Sequence, residues 1–283
     1  MEAKINHAVA NATLRDSILG DESQDEDNGR NILLTEEEAI HFGELKGGPD
    51  FQRIFFGMKA SDAIKQGYQI TKKGYFESPG SIPALHTAKF LKELFESLGR
   101  QEPIRLLDVF GGIGHSAWAF LRYNFSVHSY ERNPFTYSCL INNLDVAGLI
   151  GNSVIQLSNG VATMNELASL GNKFDAVYLD PPWNGKYKYD HSIPFKLTDT
   201  TPPLSLLFRD ALKTADIVIA KVPQNIDLQE LLGESTIGKF RVLVQYQNVE
   251  GRRPEFCQAS VYAFANGSGI DTQVVSLPSR LDL

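Results

Sequence analysis

Cysteine, methionine and tryptophan are scarce in this sequence, with two, three and two copies among 283 residues. Cys139 and Cys257 have no metal-ligand spacing and are too few to staple a chain of this length, which excludes a disulfide scaffold. Cys139 falls in a helical pattern and Cys257 near a strand, so both read as buried structural thiols. No His-rich cluster is present, and no metal is expected. There is no run of about 18 apolar residues, and the first 30 residues are polar. The expectation is a soluble intracellular protein, nuclear or cytoplasmic, neither secreted nor bound to a membrane. Positive charge is also short: 27 Lys and Arg against 34 Asp and Glu leave a net charge of −7. Broad, nonspecific nucleic-acid binding is disfavoured by that balance, because phosphate contacts rely on Lys and Arg. A small or locally docked nucleotide target stays open. ATP is disfavoured because no Gly-Lys-Ser/Thr loop exists.

Much of the acidity lies in Asp21–Asp27 and Glu36–Glu38. Residues 1–30 read as an acidic flexible tail, 31–100 as a helical N-terminal extension, 101–267 as a catalytic domain and 268–283 as a C-terminal tail. Thr35 and Glu38 form a capping-box pattern for a short helix that Gly47-Gly48-Pro49 would break. Residues 50–75 give no clear pattern, although Phe51, Ile54, Phe55 and Phe56 need something to pack against. Ile82, Leu85, Ala88, Phe90, Leu91, Leu94 and Phe95 follow a helical spacing that stops at Gly99.

From Ile104 strands and helices alternate, the pattern of a parallel sheet covered on both faces. Strands are expected at Ile104–Phe110, Phe125–Tyr130, Val154–Leu157, Phe174–Asp180 and Asp216–Val222, and helices at about 115–122, 134–147, 161–169 and 203–213. Phe240–Gln247 and Ala259–Phe264 are joined by a turn-rich link with no room for a crossover helix, so they must form an antiparallel hairpin. Five parallel strands closed by a hairpin is the arrangement of class I methyltransferases. The expected fold is therefore α/β and Rossmann-like, a seven-stranded, mostly parallel sheet with a terminal antiparallel hairpin, preceded by the small helical extension.

The first strand runs into Asp108-Val109-Phe110-Gly111-Gly112-Ile113-Gly114 and then a helix. Glycines at such a turn let the backbone approach a ligand at the carboxyl edge of the sheet. Glu131 ends the next strand, 23 residues after Asp108, where an acid can accept both ribose hydroxyls. The loop lacks Lys and Arg, which suits S-adenosylmethionine, whose sulfonium carries no phosphate. Asp108, Phe110, Gly111, Gly112, Gly114 and Glu131 are the candidate cofactor residues. Asn159, at the end of the third strand, is a candidate partner for the adenine amine through its side-chain carbonyl.

The strand Phe174–Leu179 leads into Asp180-Pro181-Pro182-Trp183. Two prolines fix φ and remove two N–H donors, which holds the flanking groups in one extended geometry. Asp180 can accept a hydrogen bond from an exocyclic amine while Trp183 offers a stacking face. Such an amine is a poor nucleophile, and an acceptor on its proton side helps localise its lone pair toward an electrophile. Asp180, Pro181, Pro182 and Trp183 are the candidate catalytic residues, with Asp180 also bordering the cofactor site.

With these residues placed, the chain resembles the methyltransferases that modify exocyclic amines, and most closely the trimethylguanosine synthase family, from about Gly67 to Phe264. The resemblance is carried by Gly74-Tyr75-Phe76, the Asp108–Gly114 loop, Asn142-Asn143, Pro181-Pro182-Trp183, Ile219–Asn225 and the terminal hairpin. It implies that Phe76, Asp108 and Glu131 belong to the S-adenosylmethionine site, that Trp183 stacks on a 7-methylguanine base, and that guanine N2 of an RNA cap is methylated. Stacking of Trp on a cationic base is favourable. Lys221, Arg252 and Arg253 are candidates for holding cap phosphates, against the reading of each as a solvated charge.

Two departures keep alternatives open. The family usually has Ser where this chain has Asp180, and a glycine-rich continuation where it has Asn184-Gly185-Lys186-Tyr187-Lys188-Tyr189. Asp at that position is the pattern of adenine-N6 and cytosine-N4 methyltransferases, which flip a base into the pocket. Tyr187 and Tyr189, interleaved with Lys186 and Lys188, would then suit a stacking and phosphate-steering lip. The expected partner is capped or structured RNA, or alternatively DNA. A catalytically silent binding subunit is the competing reading from another class, and a protein-directed enzyme a minor one.

Overall fold

The computed structural model describes residues 32–45, 54–77, 81–184, 192–238, 240–247, 258–266 and 268. The acidic tract, Phe51, Lys186, Tyr187, Lys188, Tyr189, Arg252, Arg253 and Cys257 lie outside them.

Helix α1, Glu36–Leu45, begins with the reciprocal box that its sequence implies. Thr35 N–H donates to Glu38 Oε2 at 3.0 Å, and Glu38 N–H donates to Thr35 Oγ1 at 3.2 Å. Two short strands, β1 (Ile54–Phe55) and β2 (Met58–Lys59), form an antiparallel pair, followed by helices α2 (Ala60–Lys65), α3 (Lys72–Glu77) and the long α4 (Ser81–Ser97). The turn between β1 and β2 places Phe56 at φ 51° and Gly57 at φ 85°. That turn answers what the aromatic cluster packs against: Phe56 stacks on His115 at 4.5 Å and on Tyr68 at 4.5 Å, with Trp118 edge-on at 6.0 Å. Helix α4 ends where expected, with Gly99 in the left-handed region at φ 65°.

The remaining elements are β3 (Arg105–Asp108), α5 (His115–Arg122), β4 (Ser126–Glu131), α6 (Pro134–Val146), β5 (Ser153–Leu157), α7 (Gly160–Ser169), β6 (Phe174–Leu179), α8 (Leu204–Ala211), β7 (Ala215–Pro223), α9 (Leu228–Gly238), β8 (Phe240–Gln247) and β9 (Gln258–Ala265). The sheet order is β5-β4-β3-β6-β7-β9-β8. The first five strands in that order are parallel, and β9 runs antiparallel to both neighbours. This is the expected seven-stranded α/β architecture. Helix α9 was not expected from the sequence. Leu228, Leu232 and Ile237 point to solvent while Leu231 is buried, so its apolar residues do not form one inward stripe.

Each sheet face carries its own apolar layer. On one, Phe90, Phe95, Phe120 and Leu140 pack with Leu106, Tyr178 and Tyr262, and the extension joins through Phe55, Ile70 and Tyr75. On the other, Met164, Leu207, Phe208 and Leu231 cover Val177, Leu179 and Val218. Phe120 meets both Phe125 and Tyr178 edge-on, at 5.4 and 5.3 Å. Full burial of a ring of this size contributes roughly 2–3 kcal/mol. Cys139 belongs to the first layer, and burial pushes its thiol up to about 11, as suits a structural cysteine.

Asn143 on α6, fully buried, ties three segments together. Its Nδ2 donates to Gln69 O at 2.9 Å and to Ile113 O at 2.8 Å, and its Oδ1 accepts from Gln69 N–H at 2.6 Å. Beside it, Asn142 Nδ2 donates to Gly67 O at 2.9 Å. No described helix is long and apolar enough to cross a membrane.

Candidate active site

Strand order reverses between β3 and β6, and both run parallel, so a crevice forms at their carboxyl ends. Asp108 closes β3 there and is completely buried. Its Oδ2 accepts from Ser116 Oγ on α5 and from Ser129 Oγ on β4, both at 2.9 Å. Its Oδ1 has no hydrogen-bond partner among the described residues. Burial raises its carboxyl to about 7; the two serines and the Phe110 N–H pull the other way, and the charge of Asp180 adds to the rise.

The glycine loop follows. Gly111 N–H donates to Tyr130 O at 2.8 Å, and a Cβ at Gly111 would lie 2.5 Å from Ser129 Oγ, so the loop can lie this close to β4 only with glycine. Gly112, at φ 54°, would meet nothing within 4 Å and is open. Glu131 pins this turn: its Oε2 accepts from Gly112 N–H at 2.9 Å and its Oε1 from Asn133 N–H at 2.8 Å. Burial raises the Glu131 carboxyl and the two amides oppose it. Each oxygen keeps a lone pair for a hydroxyl donor.

Asn159 serves differently from the expectation. Its side-chain oxygen caps α7, accepting from Val161 N–H at 3.1 Å and Ala162 N–H at 3.3 Å. A helix end needs such an acceptor, which is the role the fold gives this carbonyl. Beside it, Gly160 brings α7 so near β3 that a Cβ would lie 2.0 Å from Val109 O. Phe76 lies on α3, and its side chain is outside the described set.

The Asp180–Trp183 strap leaves β6 into the same crevice. Thr201 N–H donates to Pro182 O at 3.1 Å, Asn184 N–H donates to Asp199 O at 2.6 Å, and Trp183 bridges Thr200. The Trp183 ring meets Phe195 edge-on at 6.1 Å. Asp180 Oδ2 is held by Lys221 Nζ at 2.6 Å, and the same ammonium lies 4.8 Å from the centre of the Trp183 ring. Burial raises the Asp180 carboxyl and Lys221 lowers it. Lys221 is only 3% exposed and paired with Asp180, so it is not the solvated charge that one sequence reading makes it. Leu179 and Ala220 are register partners, which sets Asp180 and Lys221 side by side.

The structure thus brings together Asp108, the glycine loop, Glu131, Asp180 and Trp183. It adds Ser116 and Ser129, which sequence reasoning did not assign, and gives Lys221 a partner, Asp180, that sequence reasoning did not name. Ser129 was findable, since it is the register partner of Asp108 on the neighbouring strand. So was the pairing of Lys221, because a cation within the apolar run Ile219–Val222 needs a counter-charge.

A crevice with three acids, an unsatisfied buried oxygen on Asp108 and an open left-handed turn at Gly112 fits S-adenosylmethionine, which presents cationic and hydroxyl groups and no phosphate.

Comparison with known proteins agrees. A trimethylguanosine synthase of Schizosaccharomyces pombe is 28% identical over 138 residues, covering 48% of this chain and 57% of that protein, so the match spans little more than half of the relative. A solved methyltransferase structure from Porphyromonas gingivalis W83 aligns with TM-score 0.51 at 15% identity, over 89% of this chain and 54% of that one, a likeness in fold. An S-adenosylmethionine-dependent methyltransferase from Agrobacterium tumefaciens aligns with TM-score 0.46 at 16% identity, over 62% and 59%. Residues 104–265, more than half of the chain, match the family described as RNA cap guanine-N2 methyltransferase, and the chain belongs to that family.

Proposed function

We propose that the protein methylates an exocyclic amine of a nucleic-acid base with S-adenosylmethionine, and that its target is guanine N2 of a 7-methylguanosine RNA cap. The observation that carries this reading is the adjacency of two constructions at one sheet edge: the Asp108–Glu131 cradle, and the Asp180–Trp183 strap anchored by Lys221. When bound, the cofactor supplies an electrophilic methyl group on sulfur.

Asp108 and Glu131 hold the ammonium and hydroxyl parts of such a ligand, and the Gly111-Gly112 turn gives backbone contact. Trp183 stacks on the base. Asp180 accepts a hydrogen bond from the target amine, which turns the nitrogen lone pair toward the methyl. S-adenosylmethionine, held by Asp108, Glu131 and the Gly111-Gly112 turn, would supply the methyl group, and Asp180 would accept the proton that the amine gives up. Positioning and preorganised charge contribute most of the acceleration.

A second reading is favoured by two features, the carboxylate at position 180 and the ammonium already on the Trp183 ring. A neutral adenine presenting N6 would avoid placing a second cation on that ring. Incubating the protein with labelled cofactor and either capped or uncapped adenine-containing RNA, then digesting to nucleosides for mass spectrometry, separates the two. N2-methylated guanosine from capped RNA alone is the expected product; N6-methyladenosine would replace the cap reading.

A further inference from the structure

We infer that Lys221 is a positioning residue, one buried cation that fixes both the acid and the aromatic wall of the amine pocket. The inference rests on the base-amine reading above but not on which base is bound. Lys221 Nζ takes Asp180 Oδ2 at 2.6 Å, and Oδ1 has no partner among the described residues. The carboxylate is thus clamped by one oxygen, with the other left as the acceptor for an amine. The same Nζ, 4.8 Å from the Trp183 ring centre, couples the orientation of that ring to the clamp.

The placement of Lys221 is built into the sheet. Its register partner on β9 is Ser260, whose partner on β8 is Gln245, so three polar residues cross an otherwise apolar face. Ser260 Oγ is 2.9 Å from Thr87 Oγ1 on α4, and Gln245 Oε1 accepts from Tyr262 OH at 2.8 Å. All of these are buried. Stability is a poor reason for such a pair, since a buried ion pair is often no better than apolar side chains of the same volume. Orientation of Asp180 is the better one, because an acceptor misplaced by an ångström can slow a reaction about a hundredfold.

Among the described residues, the ionisable groups facing Asp180 are Lys221 from β7, Asp108 from β3 and Tyr178 from β6. Of these only Lys221 is a cation. Its removal takes away the charge that lowers the Asp180 carboxyl, which therefore moves further upward.

The test is a double-substitution cycle, Lys221→Met and Asp180→Asn singly and together, with Lys221→Arg as the charge-retaining control. In Lys221→Met, kcat is expected to fall about 10- to 100-fold with the cofactor KM unchanged within about twofold. The loss should be greatest at low pH and shrink as pH rises; Lys221→Arg should recover the wild-type profile in part. In the Asp180→Asn background, Lys221→Met should cost little more. Equal losses in both backgrounds, or a loss independent of pH, would overturn the inference. A carbon-detected NMR titration of the Asp180 carboxyl, higher in Lys221→Met than in wild type, reads the same pair without turnover. An unchanged Asp180 titration would also overturn it. Failure of the base assignment shows separately, as wild-type protein that methylates another base or none.

Discussion

Ser129 on β4 donates to Asp108 on β3 across the register pair that these two residues form, at 2.9 Å. The bond helps to fill one oxygen of a wholly buried carboxylate whose other oxygen has no hydrogen-bond partner among the described residues, so ionising it carries an electrostatic cost.

That cost is readable in pH. Asp108 ordinarily titrates at 3.8 and in the fold at about 7. Between these values the folded state binds the extra proton, so stability falls as pH rises through the window and is level above it. Urea unfolding of Asp108→Asn and wild type at pH 5 and pH 8, without cofactor, should show the variant gaining about 2–3 kcal/mol relative to wild type at the higher pH. A pH-independent difference would contradict the raised carboxyl.

Cofactor binding should carry the opposite slope. A cationic ligand needs ionised Asp108, so wild-type affinity measured by calorimetry is expected to rise between pH 6 and 8, with proton release. Asp108→Asn should bind weakly and without that slope.

Glu131→Gln leaves one of the Gly112 and Asn133 amides on a neutral carbonyl oxygen and sets the other against an NH2 donor. Hydrogen bonds to a charged group contribute about 1.5–3 kcal/mol. Faster hydrogen exchange at Gly112 and a loss of cofactor affinity of about tenfold or more are expected. Unchanged exchange at Gly112 would show that the carboxylate does not pin the turn.

Gly160→Ala drives a methyl against Val109 O, a backbone atom that cannot swing aside. Overpacking of this kind costs about 1–3 kcal/mol. Gly151→Ala meets nothing within 4 Å and should change unfolding by no more than about 0.5 kcal/mol. Denaturant midpoints of the two variants, compared side by side, check the contrast.

Trp183→Ala should raise the RNA KM while cofactor affinity stays within about twofold of wild type, because the ring adjoins Phe195 and the Lys221 ammonium that holds Asp180. Loss of cofactor binding would move Trp183 out of the base pocket.

The alternation after Ile104 was legible because central strands buried on both faces give continuous apolar runs, and β8 emerges with the same limits as expected. Strands β1 and β2, two residues each, are too short to carry a period, and α9 hides because its leucines divide between core and solvent. At the site, the acids and glycines follow from where strands end. The burial of Lys221 depends on Asp180, a neighbour distant in the sequence, so a reading of Lys221 by residue type alone misses the pair. The strand register that corrects it was inferable in principle, once β6 and β7 were paired.

Asn143 gives the segment before β3 a stake in the chemistry. Its one amide is shared between Gln69 and Ile113, so the shape of the glycine turn is partly written some 40 residues upstream. A protein trimmed to begin at β3 would keep every acid of the crevice and the Asn143–Ile113 bond, but lose the Gln69 bonds that fix the orientation of the Asn143 amide. Divergence in residues 67–69 could thus retune cofactor affinity while leaving each contacting side chain untouched.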